Sequence, residues 1–380
     1  MPAHDLVIHN VTAVDADGVT PGAWVQVVDG KIAARGVGIG WPRSAEVHDG
    51  GGGYLTPGFI DIHMHGGGGH SNEDGPTAIL AALAAHHRHG TTRAVTSLVA
   101  APLEALESAL DSVATLTTQN PLLLGSHLEG PFLAPERKGA HNSDHFRDPQ
   151  PEAVQRLLTA AAGTLSQITL DPARPESPGA IRAFCEAEVV VAVGHTDIGY
   201  AESRRAFDSG ASILTHSFNA MRGIHHREPG PVVAAIDSDG VFLELILDGE
   251  HVHPSMAALL FTAAPGRVVL ITDAMAAAGV PDGQYRLGDL DVTVDHRRAV
   301  LTGSSVLAGS TLTLDSALRA GIAAGIEPQA VVGALTLSPA RALRLDRRLG
   351  RLTPGYEADL VTFDQAWQVQ TVRAEGKSLI

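Results

Sequence analysis

Residues 59–65 read FIDIHMH, an apolar run that closes on two histidines, His63 and His65. A short Val/Ile/Leu-rich run without alternation is the mark of a strand buried on both faces, as in a parallel sheet covered by helices. Four further runs repeat the pattern. LLLGSHLEG (122–130) ends at Glu129, VVVAVGHT (189–196) at His195, ILTHSFN (213–219) at His216 and VVLITDAM (268–275) at Asp273. RAVTSLVA (93–100), QITLDP (167–172) and VFLELILDG (241–249) bring the strands to eight, and helical segments at 77–89, from Leu103, at 152–162 and at 179–187 separate them. That alternation predicts an α/β fold, a (β/α)8 TIM barrel. The carboxyl ends of all eight strands of such a barrel open on one face, where residues far apart in sequence can surround a single ion.

The two ends of the chain have a different texture. DLVIHNVTAVDADG (5–18) and AWVQVVDGKIAARG (23–36) alternate apolar and polar positions and break at Asp-Gly pairs, as half-exposed antiparallel strands joined by tight hairpins do. Residues 351–380 have the same character. Either end alone would leave unpaired edges, so the two are expected to build one small β-sandwich domain. The division is then 1–53 and 346–380 for the small domain and 54–345 for the catalytic barrel. Residues 282–301 look like an inserted hairpin before a last helix near Thr311.

Composition excludes several classes. A chain of 380 residues, 44% hydrophobic and 18% charged, can bury a large core. A formal charge of -15 argues against a general nucleic-acid surface, though a few local cations could still hold an anionic small substrate. The single cysteine, Cys185, rules out an internal disulfide, and its setting in AIRAFCEAE suggests an inert thiol on the apolar face of a helix. MPAHDLVIHN lacks a basic head followed by an apolar stretch, and no run reaches the roughly 18 apolar residues of a membrane span, so a cytoplasmic protein is expected.

The chemistry begins with the H-x-H pair. Residues two apart on a strand face the same side, so His63 and His65 aim at one point. Glu129, His195, His216 and Asp273, each at the end of its own strand, would be costly to bury on apolar strands unless a cation satisfied them, by about a few kcal/mol apiece. Imidazole and carboxylate suit zinc, iron and related divalent ions, and such an ion lowers the pKa of its bound water to about 7. A carboxylate must then accept the proton, and Asp273 is well placed to do so.

PGFIDIHMHG, SHLEGPF, KGAHN, VGHTD, THSFNAM, LDGEHVHP, ITDAM and VLAGS follow one another in an order and spacing that resembles the N-acetylglucosamine-6-phosphate deacetylase family of the amidohydrolase superfamily. The resemblance covers nearly the whole chain. It implies a (β/α)8 barrel with a small β-sandwich from both termini, and deacetylation of an amino-sugar phosphate. By that resemblance Glu129, His195 and His216 hold one ion, and His63 and His65 hold a second together with Glu129 and Asp273, so one or two divalent ions are expected, zinc first, then iron, manganese or cobalt. Asp273 becomes general base and then acid, and His141 hydrogen-bonds the acetamide carbonyl. Ala140, Asn219, Ala220, Asp248, Leu307 and Ala308 line the sugar, while Arg227 and His251 hold the phosphate. MRGIHHREPG (221–230) supports the last assignment, because it sets Arg222 and Arg227 directly after a barrel strand in an otherwise acidic chain. In related enzymes this arginine reaches the neighbouring subunit, which implies a homodimer.

Other histidines and glycines have plainer readings. His86, His87 and His89 precede Gly90, where cations interact well with a helix C-terminus. His127 shares the face of Glu129 and suits a partner of the ligands better than a ligand. His225 and His226 read either as solvated loop residues or as substrate contacts, His253 as a loop residue, and the glycines at 66–69 as room for backbone to pass close to the metals. TLDPARPE (169–176), with Asp171, departs from the family's pattern at the rim. The fourth strand has no lysine at its end, which disfavours the carboxylated-lysine branch of the superfamily. Two rivals stay open: an amidohydrolase with another N-acyl sugar phosphate or an amidine as substrate, and a non-catalytic barrel scaffold.

Overall fold

The computed structural model describes residues 5–380, so the first four residues of MPAHDLVIHN lie outside the described residues. Eight parallel strands form the barrel: β1 (Phe59–Met64), β2 (Thr91–Val99), β3 (Leu123–Glu129), β4 (Leu165–Leu170), β5 (Val190–Val193), β6 (Ile213–Leu214), β7 (Phe242–Ile246) and β8 (Val268–Ile271). Each pairs with its sequence neighbour. The ring closes just past the strand ends, where Asp273 N donates to His63 O at 2.9 Å and His65 N to Ala274 O at 2.8 Å. No lysine stands on β4, as expected.

Helices cover the outside. Pro76–His87, Pro151–Ala161 and Pro254–Ala263 each open on a proline, which has no N–H to leave unpaired in the first turn. Pro151–Ala161 buries Ala153, Val154, Leu157 and Ala161 along one face, the spacing of a helix lying on a sheet. The helix expected near Thr311 starts at Leu314 and runs to Ala323. It is not the last, because Pro328–Leu335 and Leu337–Ala342 follow. Cys185 is half-buried on Ser177–Glu186, and burial pushes its thiol pKa up, away from the thiolate form.

The insert differs from the hairpin expected at 282–301. It is a three-stranded antiparallel sheet of Gly283–Leu287, Leu290–Asp295 and Arg298–Leu301. Its second turn holds His296 and Arg297 in left-handed backbone, at φ 49 and 64. A two-residue turn of that kind normally shows glycine or asparagine, so the sequence carries no signal for it. Leu287, Val292 and Ala299 of the insert pack on Val99, Met275 and Ala308 at the barrel mouth.

Both termini build one eight-stranded sheet. Leu6–Asp15 pairs with Gly18–Val28 on one side and with Glu46–Asp49 and Tyr54–Pro57 on the other. Tyr54–Pro57, which begins one residue past the boundary drawn at 53, pairs with Leu360–Phe363 and so joins the two ends of the chain. Asp29 and Gly30 make the expected tight turn, with φ 51 and 77. The buried guanidinium of Arg93 on β2 ties this sheet to the barrel, through Asp359 at 2.7 Å and Glu375 at 3.3 Å. Removing a partner from a buried pair of this kind costs about 3–5 kcal/mol.

Two of the HHRHG histidines, His86 and His87, are structural but not as cations, while His89 lies 3.1 Å from the Asp315 carboxylate. His86 is fully buried with Nε2 on Gly66 O at 2.9 Å, and burial lowers its pKa to about 4. His87 donates Nδ1–H to Thr91 O at 2.7 Å and is lowered for the same reason. Neutral rings add nothing to a helix dipole; these two act as hydrogen-bond donors. Of the glycines at 66–69, Gly66 lies against the backbone of His70 and Ala276, and Gly67 and Gly68 lie against a helix. A Cβ on Gly67 would stand 2.6 Å from His86 Nε2, so close approach there is to the helix Pro76–His87.

Candidate active site

Glu129 is the hub of the barrel mouth. Its Oε1 lies 3.1 Å from Nε2 of both His195 and His216, and those two nitrogens are 3.0 Å apart. Its Oε2 lies 3.2 Å from Nε2 of His65 and of His141. Asp273 Oδ1 stands 3.4 Å from Nε2 of both His63 and His65, which are 3.1 Å from each other. All seven side chains are at least nine-tenths buried by residue. His195, His216 and Asp273 each sit two residues past their strand ends in left-handed backbone, at φ 47, 26 and 48. Such conformations are uncommon for these residue types and concentrate at functional sites.

The hydrogen bonds decide which nitrogens carry protons. His195 Nδ1 faces Arg137 O at 2.8 Å, which only accepts, so its proton is on Nδ1 and its Nε2 lone pair points at Glu129 and His216. His63 Nδ1 faces Glu244 Oε2 at 3.1 Å, leaving its Nε2 lone pair aimed at His65, Glu129 and Asp273. Converging lone pairs and carboxylate oxygens repel one another unless a cation stands among them. Burial alone would lower His63 and His65, yet neighbouring carboxylates outweigh it and raise both pKa values, His63 well above the ordinary one. Glu129 is held well below the carboxylate range, because the surrounding histidines outweigh its burial. His63, His65, Glu129 and Asp273, and separately Glu129, His141 and His195, are spaced so that a metal ion fits among them.

His141 receives Ala100 N–H on Nδ1 at 3.4 Å, and burial lowers its pKa. It is therefore neutral with its proton on Nε2, a donor directed at the site. His127 takes part as expected for a supporting residue. It bridges Ser97 and Thr169 at 3.0 and 2.9 Å and presents its ring to His63, with centroids 4.5 Å apart.

A cavity of 370 Å³ opens over this cluster, lined in part by Ala140, Asn219, Ala220, His251 and Leu307. Asp248 and Ala308 are not on its wall. The Asp248 carboxylate is taken by His251 Nδ1 at 2.7 Å and by the backbone of its own turn, so it orients His251 instead. Ala308 is fully buried under the insert. Arg227 lies outside the cavity of its own chain, on an exposed loop, with its guanidinium on His226 at 2.8 Å. Arg222 is committed to Asp197 at 2.8 Å. His253 caps Pro254–Ala263 by accepting Ser255 N–H, and Asp171 locks two loops through Thr196 and Ala173, away from the cavity.

Sequence reading missed two residues here. Arg298 of the insert lines the cavity and pairs with Glu250 at 3.1 Å. No periodicity pointed to it. Glu244 is the buried acid of β7, and its signal was present: a single charge inside the apolar run FLELI.

The fold and the cluster at the strand ends define a metal-binding hydrolase barrel, and the chain belongs to the amidohydrolase family, whose profile matches residues 54–379. It is similar to the N-acetylgalactosamine-6-phosphate deacetylase of Escherichia coli O157:H7, 38% identical over 93% of each chain. The N-acetylglucosamine-6-phosphate deacetylase of Bos taurus is 34% identical, over 87% of this chain and 85% of its own. Among solved structures, a variant of the N-acetyl-D-glucosamine-6-phosphate deacetylase of Mycobacterium smegmatis, in complex with N-acetyl-D-glucosamine-6-phosphate, superposes with a TM-score of 0.94 at 36% identity, covering 100% of this chain and 99% of its own. Among the described residues no helix is long and apolar enough to cross a membrane.

Proposed function

We propose that this protein hydrolyses the acetamide of N-acetylglucosamine 6-phosphate, giving glucosamine 6-phosphate and acetate, in the catabolism and recycling of amino sugars. The observation that carries the reading is the convergence of Glu129, His195 and His216 on one point, with Asp273 beside them over a cavity of sugar size. Glu129, His195 and His216 hold one divalent ion, and His63 and His65 with Glu129 and Asp273 hold a second. Zinc is the first choice, with iron, manganese or cobalt as alternatives. When bound, the ion supplies a water activated at neutral pH and a Lewis acid for the acetyl carbonyl. Asp273 would accept a proton from the attacking water as it adds to the acetyl carbon and deliver it to the departing amine nitrogen as the C–N bond breaks. His141 donates its Nε2 proton to the carbonyl oxygen as negative charge develops there.

Asn219, Ala220 and Leu307 line the sugar, and Asp248 acts through His251. Arg227 and His251 hold the phosphate. The exposed position of Arg227 supports a homodimer in which it serves the neighbouring site. The domain organisation is kept with its second boundary at 345 and its first moved from 53 to 57, because Tyr54–Pro57 pairs within the terminal sheet, and a phosphorylated substrate suits a cytoplasmic enzyme.

A second reading is favoured by the relative at 38% identity: the galacto epimer, N-acetylgalactosamine 6-phosphate, as the better substrate. Acetate release from the two epimers, measured side by side, separates them. Higher kcat/KM on the gluco sugar is the expected result. Higher kcat/KM on the galacto sugar selects the second reading, and ammonia without acetate would remove deacetylation altogether.

A further inference from the structure

Glu244 lies on β7, at the centre of the barrel, with no exposed surface. A carboxylate shut away from water persists where donors supply its oxygens. Its Oε1 accepts from Gln167 Nε2 at 2.8 Å. Its Oε2 accepts from His63 Nδ1 at 3.1 Å and faces the backbone N–H of His216 at 3.3 Å. The donors come from three other strands or strand ends, β1, β4 and the segment after β6.

We propose that Glu244 is a positioning residue of the metal centre: one oxygen fixes the tautomer of His63 and tethers the backbone of His216, so a single buried carboxylate organises both ion positions. The inference rests on the reading of His63 and His216 as ligands. A carboxylate oxygen only accepts, so the proton of His63 must sit on Nδ1, which leaves the Nε2 lone pair free to face the mouth of the barrel. Without that acceptor the ring can carry its proton on Nε2 instead, and the lone pair then points inward. His216 needs the second contact for a different reason. Its backbone is at φ 26 and its own Nδ1 has no partner, so the Glu244 carboxylate adds a tether at the His216 N–H to the backbone bonds of the same turn, Ser217 N–H to Glu244 O at 2.8 Å and Asn219 N–H to His216 O at 3.0 Å.

One further detail separates hydrogen bonding from charge. Gln167 Oε1 has no partner. In Glu244→Gln the new amide can keep its oxygen on His63, while the Gln167 amide turns over to accept from the new NH2. Glu244→Leu offers neither oxygen.

The test is zinc binding by wild-type, E244L and E244Q proteins, followed by competition with a chromophoric chelator, with circular dichroism and thermal melting to confirm folding. E244L is expected to bind zinc ten- to hundredfold more weakly, the range for losing such a partner, and E244Q to stay within about fivefold of wild type. Equal affinity in E244L and wild type would overturn the inference, and so would a loss in E244Q as large as in E244L. Wild-type protein that binds no zinc would instead take down the reading of the metal centre, and this inference with it. Should E244L fail to fold, 15N-histidine spectra of the zinc-loaded wild type decide. A protected Nδ1 proton absent from the H63A spectrum supports the assignment, and a His63 proton on Nε2 overturns it.

Discussion

The backbone N–H of Asp273 donates to the carbonyl oxygen of His63 at 2.9 Å, so the hydrogen bond that closes the barrel also fixes a carboxylate over a histidine pair. Asp273 Oδ1 ends 3.4 Å from both His63 and His65. The Asp273 carboxylate is thus held by the fold's own seam, and not by a loop that has to order.

Replacing that carboxylate should separate binding from turnover. Asp273→Asn keeps the shape and the backbone bond but gives up proton transfer, so kcat should fall by about 10²–10⁴ while KM and the ion held by Glu129, His195 and His216 stay close to wild type and only the second ion, which Asp273 helps to hold, is weakened. Steady-state acetate release with elemental analysis of the same sample checks this. Near-normal kcat would remove Asp273 from the mechanism.

Arg227 projects from an exposed loop and does not line the cavity of its own chain. Arg227→Ala should raise KM for the phosphorylated sugar tenfold or more and leave that for the free sugar nearly unchanged. If the arginine serves the partner's site, R227A and D273N subunits mixed and re-associated recover about a quarter of wild-type activity, since half the dimers are mixed and each carries one intact site. No recovery in verified mixed dimers would confine the arginine to its own chain.

His86 makes stability depend on pH. Its folded pKa, about 4, lies below the ordinary 6.5 because the ring is buried, so below pH 6.5 the unfolded chain binds the proton and the folded one does not. Stability is therefore lost as pH falls from 6.5 towards 4, by on the order of 3 kcal/mol over the window. Denaturant titrations at pH 7 and 4.5 should show the loss, and His86→Gln should flatten it. A variant as acid-sensitive as wild type would assign the loss elsewhere.

The barrel and the cluster at its mouth were legible because five of the eight apolar runs stop at a polar residue that is costly to bury unless it binds something. His63, His65, Glu129, His195, His216 and Asp273 all carry that signature. Glu244 carries it too, but in mid-strand, and its role depends on His63, Gln167 and His216, whose approach only the closed barrel creates. Asp248 and Ala308 were assigned to the sugar wall by resemblance, yet one is spent on His251 and the other lies under the insert. The insert's third strand escaped notice because its turn is made by His296 and Arg297 without glycine.

The most direct test of the central claim is zinc content and acetate release from N-acetylglucosamine 6-phosphate, followed together as the protein is stripped with a chelator and then reloaded. Activity should vanish with the ion and return with it in wild type, and H195A and H216A should neither hold that ion nor recover. Full acetate release from metal-free protein, or unchanged zinc in both variants, would contradict the account.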